Sequence, residues 1–138
     1  MTAVTTRHPR APQSDTQLLR FAMRADATVC GGVGLFAAMA ADPLSRLTGL
    51  TATAEWIAGA ALVAYGVALY SLARVPDIRR AGVTVLAGSV LFSIGVAVVL
   101  AAGLLPLTAF GVAVTVAFTV VTVGFAWLQY LGVRRIAT

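Results

Sequence analysis

The chain has few of the residues on which enzymes and metalloproteins depend. Its 138 residues include one cysteine, one histidine, no lysine and no asparagine. The single Cys30 excludes an intrachain disulfide, a dithiol redox pair and a thiolate metal cage. His8 lies in a polar N-terminal stretch, so no apolar segment can supply the two histidines of a bis-histidine haem. The sequence also shows no nucleotide loop, nucleophile–histidine pair or paired-carboxylate motif. We therefore predict no catalytic residue, no metal site, no cofactor and no enzymatic activity.

Charge is also scarce, and most of it is positive. Only 11% of the residues are charged and 59% are hydrophobic, and the mean hydropathy is +0.92. A soluble domain of this length could not cover so much apolar surface. The net charge of +5 does not indicate nucleic-acid binding, because the arginines lie at segment ends and form no basic face with interleaved aromatic residues. The composition predicts a membrane protein whose surroundings are the lipid bilayer, with no nucleic-acid partner.

Four long apolar segments predict an all-α fold, a transmembrane four-helix bundle. The predicted spans cover about residues 18–41, 53–73, 81–105 and 107–131. Residues 1–13 are polar and contain two prolines, which predicts a disordered cytoplasmic tail before a transmembrane domain at 14–138.

A short amphipathic segment separates the first two predicted spans. Asp42-Pro43 is suited to the start of a helix, and Leu44, Leu47 and Leu50 recur after it with polar residues between them. This pattern predicts a short interfacial helix that lies on the membrane surface and ends at Gly49.

The arginines predict the orientation of the spans. Nine of the ten lie before or in the first turns of the first predicted span, between the second and third, or after the fourth. These nine are Arg7, Arg10, Arg20, Arg24, Arg74, Arg79, Arg80, Arg134 and Arg135. Only Arg46 lies in a joint on the other side. Because positive residues concentrate in cytoplasmic loops, we predict a multi-pass protein of the plasma membrane with both termini in the cytoplasm.

Three of the predicted spans carry stripes of small residues, which let helix backbones approach closely in lipid. The predicted packing seam consists of Ala27, Gly31, Gly34 and Ala38 on the first span, Gly59 and Gly66 on the second, and Gly88 and Gly95 on the third. These stripes can serve packing within the bundle, or they can form the contact between copies in a homo-oligomer.

The fourth span carries a weakly polar stripe instead. Its threonines are Thr108, Thr115, Thr119 and Thr122, and Gln129 continues the line toward the cytoplasm. The hydroxyls can bond to carbonyls one turn earlier in their own helix, or they can face a wet cavity between helices, with Ser89 and Ser93 opposite.

Asp26 is the ionisable residue that most needs an explanation. The apolar run after it has 15 residues, about 22 Å of helix, so the first span must include Asp26 to cross the bilayer. A carboxylate there costs several kcal/mol unless it is paired or faces water. Gln129 and Arg74 lie at a similar depth and are the predicted partners. The carboxylate is then either a clamp that fixes the helices or a coupling site for protons or cations.

The chain resembles a family of small four-span actinobacterial integral membrane proteins over residues 18–135. The resemblance lies in four short motifs, Leu18-Leu19-Arg20, Arg24-Ala25-Asp26-Ala27, Leu44-xx-Leu47-xx-Leu50 and Leu128-Gln129-xx-Gly132-x-Arg134-Arg135. The arrangement of four spans with an acidic residue in the first is also similar to that of DoxX-like proteins and small multidrug exporters. These resemblances imply a membrane location and assign no activity.

Two functional hypotheses follow from these features. The first is a non-catalytic accessory or scaffold subunit, which the short loops, the small-residue stripes and the lack of catalytic motifs favour. The second is a small homo-oligomeric proton-coupled transporter or channel that uses Asp26, which the threonine stripe and the spare small faces favour. The partner is another membrane protein in the first case and further copies of the chain in the second.

Overall fold

The computed structural model describes the backbone of residues 13–137 and the side chains of residues 16–136. Five helices account for nearly all of this part: α1 (Gln13–Met39), α2 (Ala41–Thr48), α3 (Ala52–Leu72), α4 (Ile78–Ala102) and α5 (Ala109–Ala137). The predicted all-α fold is confirmed. The predicted tail lies outside the described residues, apart from Gln13, which is already helical.

The first helix ends at Met39, before the predicted end of the span at residue 41. Pro43 explains this, because it has no N–H to donate to the Met39 carbonyl and its ring would clash with that carbonyl. The chain bends by 93° between α1 and α2. The short helix expected after the first span is present as α2, and it ends at Gly49, whose positive φ of 86° is accessible to glycine.

The joint between α4 and α5 is longer than the sequence pattern predicted. α4 stops at Ala102 because Gly103 adopts a left-handed conformation with φ of 62°, and Leu104 N–H then bonds back to the Val99 carbonyl at 3.2 Å. α5 begins after Thr108, whose hydroxyl accepts a hydrogen bond from Gly111 N–H at 3.1 Å. The predicted boundaries at 105 and 107 therefore fall in the joint.

Three helices are long and apolar enough to cross a membrane. These are α3, α4 and α5, and within the described residues α1 passes the same test only together with α2, as a bent pair. The chain is thus a multi-pass membrane protein with three or four candidate spans. Many large apolar side chains face outward, such as Leu91, which is 70% exposed, as expected for a surface covered by lipid.

The helices are arranged around α1, which packs against α3 on one side and α5 on the other. α4 packs mainly on α5, whereas α3 and α4 hardly touch each other. The buried apolar core gathers at one end of the molecule, around Leu19, Met23, Leu69, Val85 and Val133. The other half is more loosely filled between α3 and α4.

Glycines hold α1 and α3 at close distance. A Cβ at Gly34 would lie 2.6 Å from the Gly59 carbonyl oxygen, and a Cβ at Gly66 would lie 2.8 Å from the Ala27 carbonyl oxygen. Ala38 completes this contact, since its backbone nitrogen would lie 2.5 Å from a Cβ at Gly59. Backbone contact this close requires residues without a side chain on at least one helix.

Other members of the predicted seam lie outside this contact. A Cβ at Gly31 would meet no atom within 4 Å, although the Gly31 nitrogen would lie 3.0 Å from a Cβ at Gly66. Gly88 and Gly95 also have open space where a Cβ would stand, because α4 presents them to no helix of the described chain. The stripe on α4 therefore takes no part in packing within the chain.

At each end of the molecule, hydrogen bonds connect neighbouring helices. At one end the Arg20 guanidinium donates to the carbonyls of Ala73, at 2.5 Å, and Val75, at 3.1 Å, where α3 ends. At the other end the Thr108 hydroxyl donates to the Leu47 carbonyl, and Thr108 N–H donates to the Thr48 carbonyl at 2.8 Å. These bonds supply partners for carbonyls at, and just beyond, the C-terminal ends of α2 and α3.

The described arginines are segregated between these ends. Arg46 is on α2, at the end that also holds Thr108. The other seven lie at or toward the opposite end. They are in the first half of α1, in the joint after α3, in the first turn of α4, or in the last turn of α5.

Candidate functional site

A buried carboxylate lies at the contact between α1 and α5. Asp26 is 2% exposed and stands near the middle of α1. Gln129, two turns before the end of α5, is 0% exposed and donates from Nε2 to Asp26 Oδ2 at 3.0 Å. The other oxygen, Oδ1, accepts from the Cys30 thiol at 3.3 Å, one turn along α1. Both carboxylate oxygens thus have a donor inside the protein.

Close packing around the pair explains its burial. A Cβ at Gly132 would lie 2.9 Å from the Leu19 Cβ, so α1 and α5 approach closely one turn from Gln129. Water has little access there, and a hydrogen-bonded carboxylate in such surroundings interacts strongly with its donors. The sequence grouped Asp26 with Gln129, and the structure brings these two together.

Arg74, the other predicted partner of Asp26, lies elsewhere. Its guanidinium stacks over the Tyr70 ring at 4.8 Å, at the end of α3. No arginine among the described residues forms an ion pair with Asp26. Among the described residues, Arg80 pairs with Asp77 at 3.8 Å, at the exposed start of α4. The Asp26 carboxylate is therefore held by neutral hydrogen-bond donors.

The threonine hydroxyls of the stripe on α5 form hydrogen bonds within their own helix. The hydroxyls of Thr115, Thr119 and Thr122 each donate to the carbonyl four residues earlier, at 2.8, 2.8 and 3.0 Å. Thr108 has a different position, because it caps the start of α5 and bonds to Leu47. Hydroxyls bonded in this way offer little to water or ions, so the stripe forms no continuous polar path.

A second buried carboxylate lies at the opposite end of the molecule. Glu55, in the first turn of α3, is 7% exposed and accepts a hydrogen bond from the Thr48 hydroxyl at the end of α2. This bond fixes α2 against α3. A carboxylate in the first turn of a helix suits the helix dipole. The sequence holds no signal for its partner, since the bend that brings Thr48 back toward α3 is a tertiary feature.

An intramembrane cavity of about 510 Å³ opens where α3 and α4 separate. Its walls are mostly apolar or aromatic, and its hydroxyl-bearing lining residues come from three helices. The lining includes Tyr65 on α3, Gly88, Ser89 and Phe92 on α4, Phe118 and Thr122 on α5, and Cys30 on α1. The sequence placed Ser89 opposite the threonine stripe but gave no indication of Tyr65 or Cys30. The one sequence signal for Cys30 is its spacing of four from Asp26, which favours a contact between the two side chains on a helix.

The cavity and the carboxylate are adjacent. Cys30 lines the cavity and donates to Asp26, so the carboxylate lies one helical turn below the cavity floor. Among the described residues, no group of three or more His, Cys, Asp or Glu side chains could hold a metal ion. The arrangement offers hydrogen-bonding groups and apolar volume.

No protein-family model, curated protein or solved structure matches the chain.

Proposed function

We propose that this multi-pass protein is a non-catalytic accessory or scaffold subunit of the plasma membrane, with four spans and both termini in the cytoplasm. The distribution of arginines supports this orientation. The end of the molecule that gathers seven of the eight described arginines is the cytoplasmic end, because positive residues are retained on that side. Introduced cysteines at Arg79 and at Arg46 test it. A membrane-impermeant thiol reagent added to intact cells should label position 46 only, and labelling of position 79 instead would contradict the orientation.

The hydrogen bond between Asp26 and Gln129 is the observation that carries the scaffold role. It uses one carboxylate oxygen to join α1 to α5, while Cys30 occupies the other oxygen. A residue that binds and releases a proton or cation needs access to water. A carboxylate that has both oxygens hydrogen-bonded in a close-packed contact is better suited to holding two helices together.

A scaffold also needs a surface for its partner. Small residues remain uncovered on α4 at Gly95 and on α5 at Gly124, where an added Cβ would meet no atom within 4 Å. Close approach of another transmembrane helix is possible at such positions. The partner is therefore another integral membrane protein that packs against the outside of α4 and α5.

Purification from native membranes in mild detergent tests this role. A stoichiometric partner of a different sequence should copurify with the parent chain, and substitution of Gly95 by Leu should release it. Gly66→Leu is unsuitable as a control because it disrupts the contact between α1 and α3. Gly32→Leu is suitable, since a Cβ at Gly32 also meets open space but on α1. Recovery of this chain alone, at every detergent concentration that keeps it folded, would contradict the scaffold role.

A second candidate is a small homo-oligomeric proton-coupled transporter or channel. Its specific support is that Asp26 has no cationic partner among the described side chains and lies one turn from a cavity of about 510 Å³. In proteoliposomes with a pH-sensitive dye inside, this function requires a proton flux that Asp26→Asn abolishes while the helices remain folded. Asp42→Asn, which alters an exposed carboxylate at the other end, is the matched control. A flux that is absent, or equal in the two variants, would exclude this candidate.

A further inference from the structure

Ser89 is the exception among the hydroxyl groups of α4. The Thr84 and Ser93 hydroxyls bond to carbonyls four residues earlier, at 3.0 and 2.9 Å. Ser89 is 3% exposed, yet within the described residues its Oγ has no hydrogen-bond partner in good geometry. A buried hydroxyl without a well-formed hydrogen bond is costly, and near the middle of a membrane span water is scarce. A group that supplies this hydrogen bond would be favoured there.

The space in front of Ser89 is the cavity between α3 and α4. Tyr65, on the facing wall, lies near enough to Ser89 for their polar groups to interact, so two hydroxyl groups meet in one region. The remaining wall is apolar and includes an edge-to-face aromatic pair, Phe92 and Phe118, with ring centroids 6.5 Å apart. A volume of about 510 Å³ lies within the range of small-molecule sites.

The charge of a suitable occupant follows from the groups around the cavity. The one carboxylate nearby, Asp26, has its oxygens bonded to Cys30 and Gln129, and it does not line the cavity. No arginine lines the cavity either. The site thus offers hydroxyl groups and apolar surface, with no formal charge facing the space. An occupant with a net charge would lose its hydration without compensation.

We propose that this cavity binds a neutral, membrane-soluble molecule that has an apolar body and a hydroxyl or carbonyl oxygen. The apolar body lies against Phe92 and Phe118, and the oxygen bonds to Ser89 beside Tyr65. The ligand enters from the bilayer through the gap between α3 and α4, where the two helices hardly touch. This site is independent of whether the chain is a scaffold or a transporter.

Photolabelling of the full chain in phosphatidylcholine nanodiscs tests the proposal. The probe is an octanol analogue with an aliphatic diazirine, used below saturation, and the labelled residues are mapped by mass spectrometry. Labelling should concentrate on the walls of the cavity, and unlabelled octanol should compete better than octane. Ser89→Ala should weaken labelling about 2- to 10-fold, the range expected for one hydrogen bond. Ser93→Ala is the matched control, because its hydroxyl is bonded within α4.

A variant that fills the cavity gives an independent measurement. Gly88→Leu adds a side chain to the cavity wall at a position where a Cβ meets no atom within 4 Å, so labelling should be lost while helix content is unchanged. If that variant fails to fold, the comparison of Ser89→Ala with Ser93→Ala decides alone. The proposal is overturned by labelling spread evenly over the lipid-facing helices, by equal labelling of Ser89→Ala and the parent, or by cross-links through α4 that show a second copy in the cavity.

Discussion

A methyl group added at Gly59 should force α1 and α3 apart. The Cβ of an alanine there would lie 2.5 Å from the Ala38 nitrogen and 2.5 Å from the Gly34 carbonyl oxygen. Ordinary contacts of a Cβ begin near 3.4 Å, so the backbones must separate by about 1 Å. Backbone atoms cannot turn aside as a flexible side chain can. The whole contact between the two helices therefore has to shift.

The expected magnitude follows from two opposing effects. Replacing glycine by alanine at a position that tolerates it stabilises a protein by about 0.4–1 kcal/mol, because the unfolded chain loses freedom. Overpacking of a tight contact costs about 1–3 kcal/mol. Gly59→Ala should thus lower the free energy of unfolding by up to about 2.6 kcal/mol, and it should be about 1–3 kcal/mol less stable than a glycine-to-alanine variant at an open position. Gly124→Ala should leave that free energy unchanged or raise it, because its Cβ meets open space.

Unfolding by sodium dodecyl sulfate in mixed micelles, followed by tryptophan fluorescence and far-UV circular dichroism, measures both variants against the parent. Gly31→Ala adds a stricter comparison. Gly31 belongs to the small-residue stripe of α1, but its Cβ would point into open space, so it should behave like Gly124→Ala. Equal stability of Gly59→Ala and Gly124→Ala would refute the close contact between α1 and α3. Destabilisation by Gly31→Ala would show that membership of the small-residue stripe, and not the space at each position, determines the effect of the substitution on stability.

Three further predictions use the same unfolding assay. Asp26→Leu should lower the free energy of unfolding by about 1–2 kcal/mol. Asp26→Asn should lower it by less, because an amide can still hydrogen-bond to Gln129 on α5. Equal stability of Asp26→Leu and the parent would show that Asp26 does not hold α1 to α5. Thr108→Ala should cost about 1 kcal/mol, since it removes the cap of α5 and a bond to α2. Thr115→Ala, which removes a bond within one helix, should cost almost nothing, and the reverse order would contradict the two roles. Arg20→Met should lower the free energy of unfolding by at least about 1.5 kcal/mol, the contribution of one hydrogen bond from a charged donor, because it removes two such bonds. The exposed Arg79→Met should leave that free energy unchanged, and a similar loss for both variants would indicate a general effect of charge.

The sequence by itself determined the class of the molecule. Apolar segments long enough to cross a bilayer must be helical, because backbone polar groups have no other partners in lipid. Local chemistry was also readable: Gly49 ends α2 as the pattern at that point predicted. The pairing of Asp26 with Gln129 was proposed because two polar residues at similar depth in neighbouring apolar helices are each other's nearest partners.

Other boundaries needed the backbone geometry. Pro43 sets the end of α1, and the backbone conformation of Gly103 sets the end of α4. Gly103 adopts a left-handed conformation and ends α4 before the apolar run is over. Hydropathy does not register such a stop, because the residues after it are as apolar as those before it.

Only the tertiary structure decided which residues meet. The small-residue stripes of α1, α3 and α4 look alike in sequence, yet Gly59 touches a neighbouring helix while Gly95 faces open space. Periodicity assigns residues to a face of a helix, but it does not say which neighbour covers that face. In the same way, Arg74 lay at a suitable depth for Asp26 but stacks on Tyr70 instead. The gap in front of Ser89 arises because α3 and α4 diverge, and that divergence is set by how both helices pack around α1 and α5.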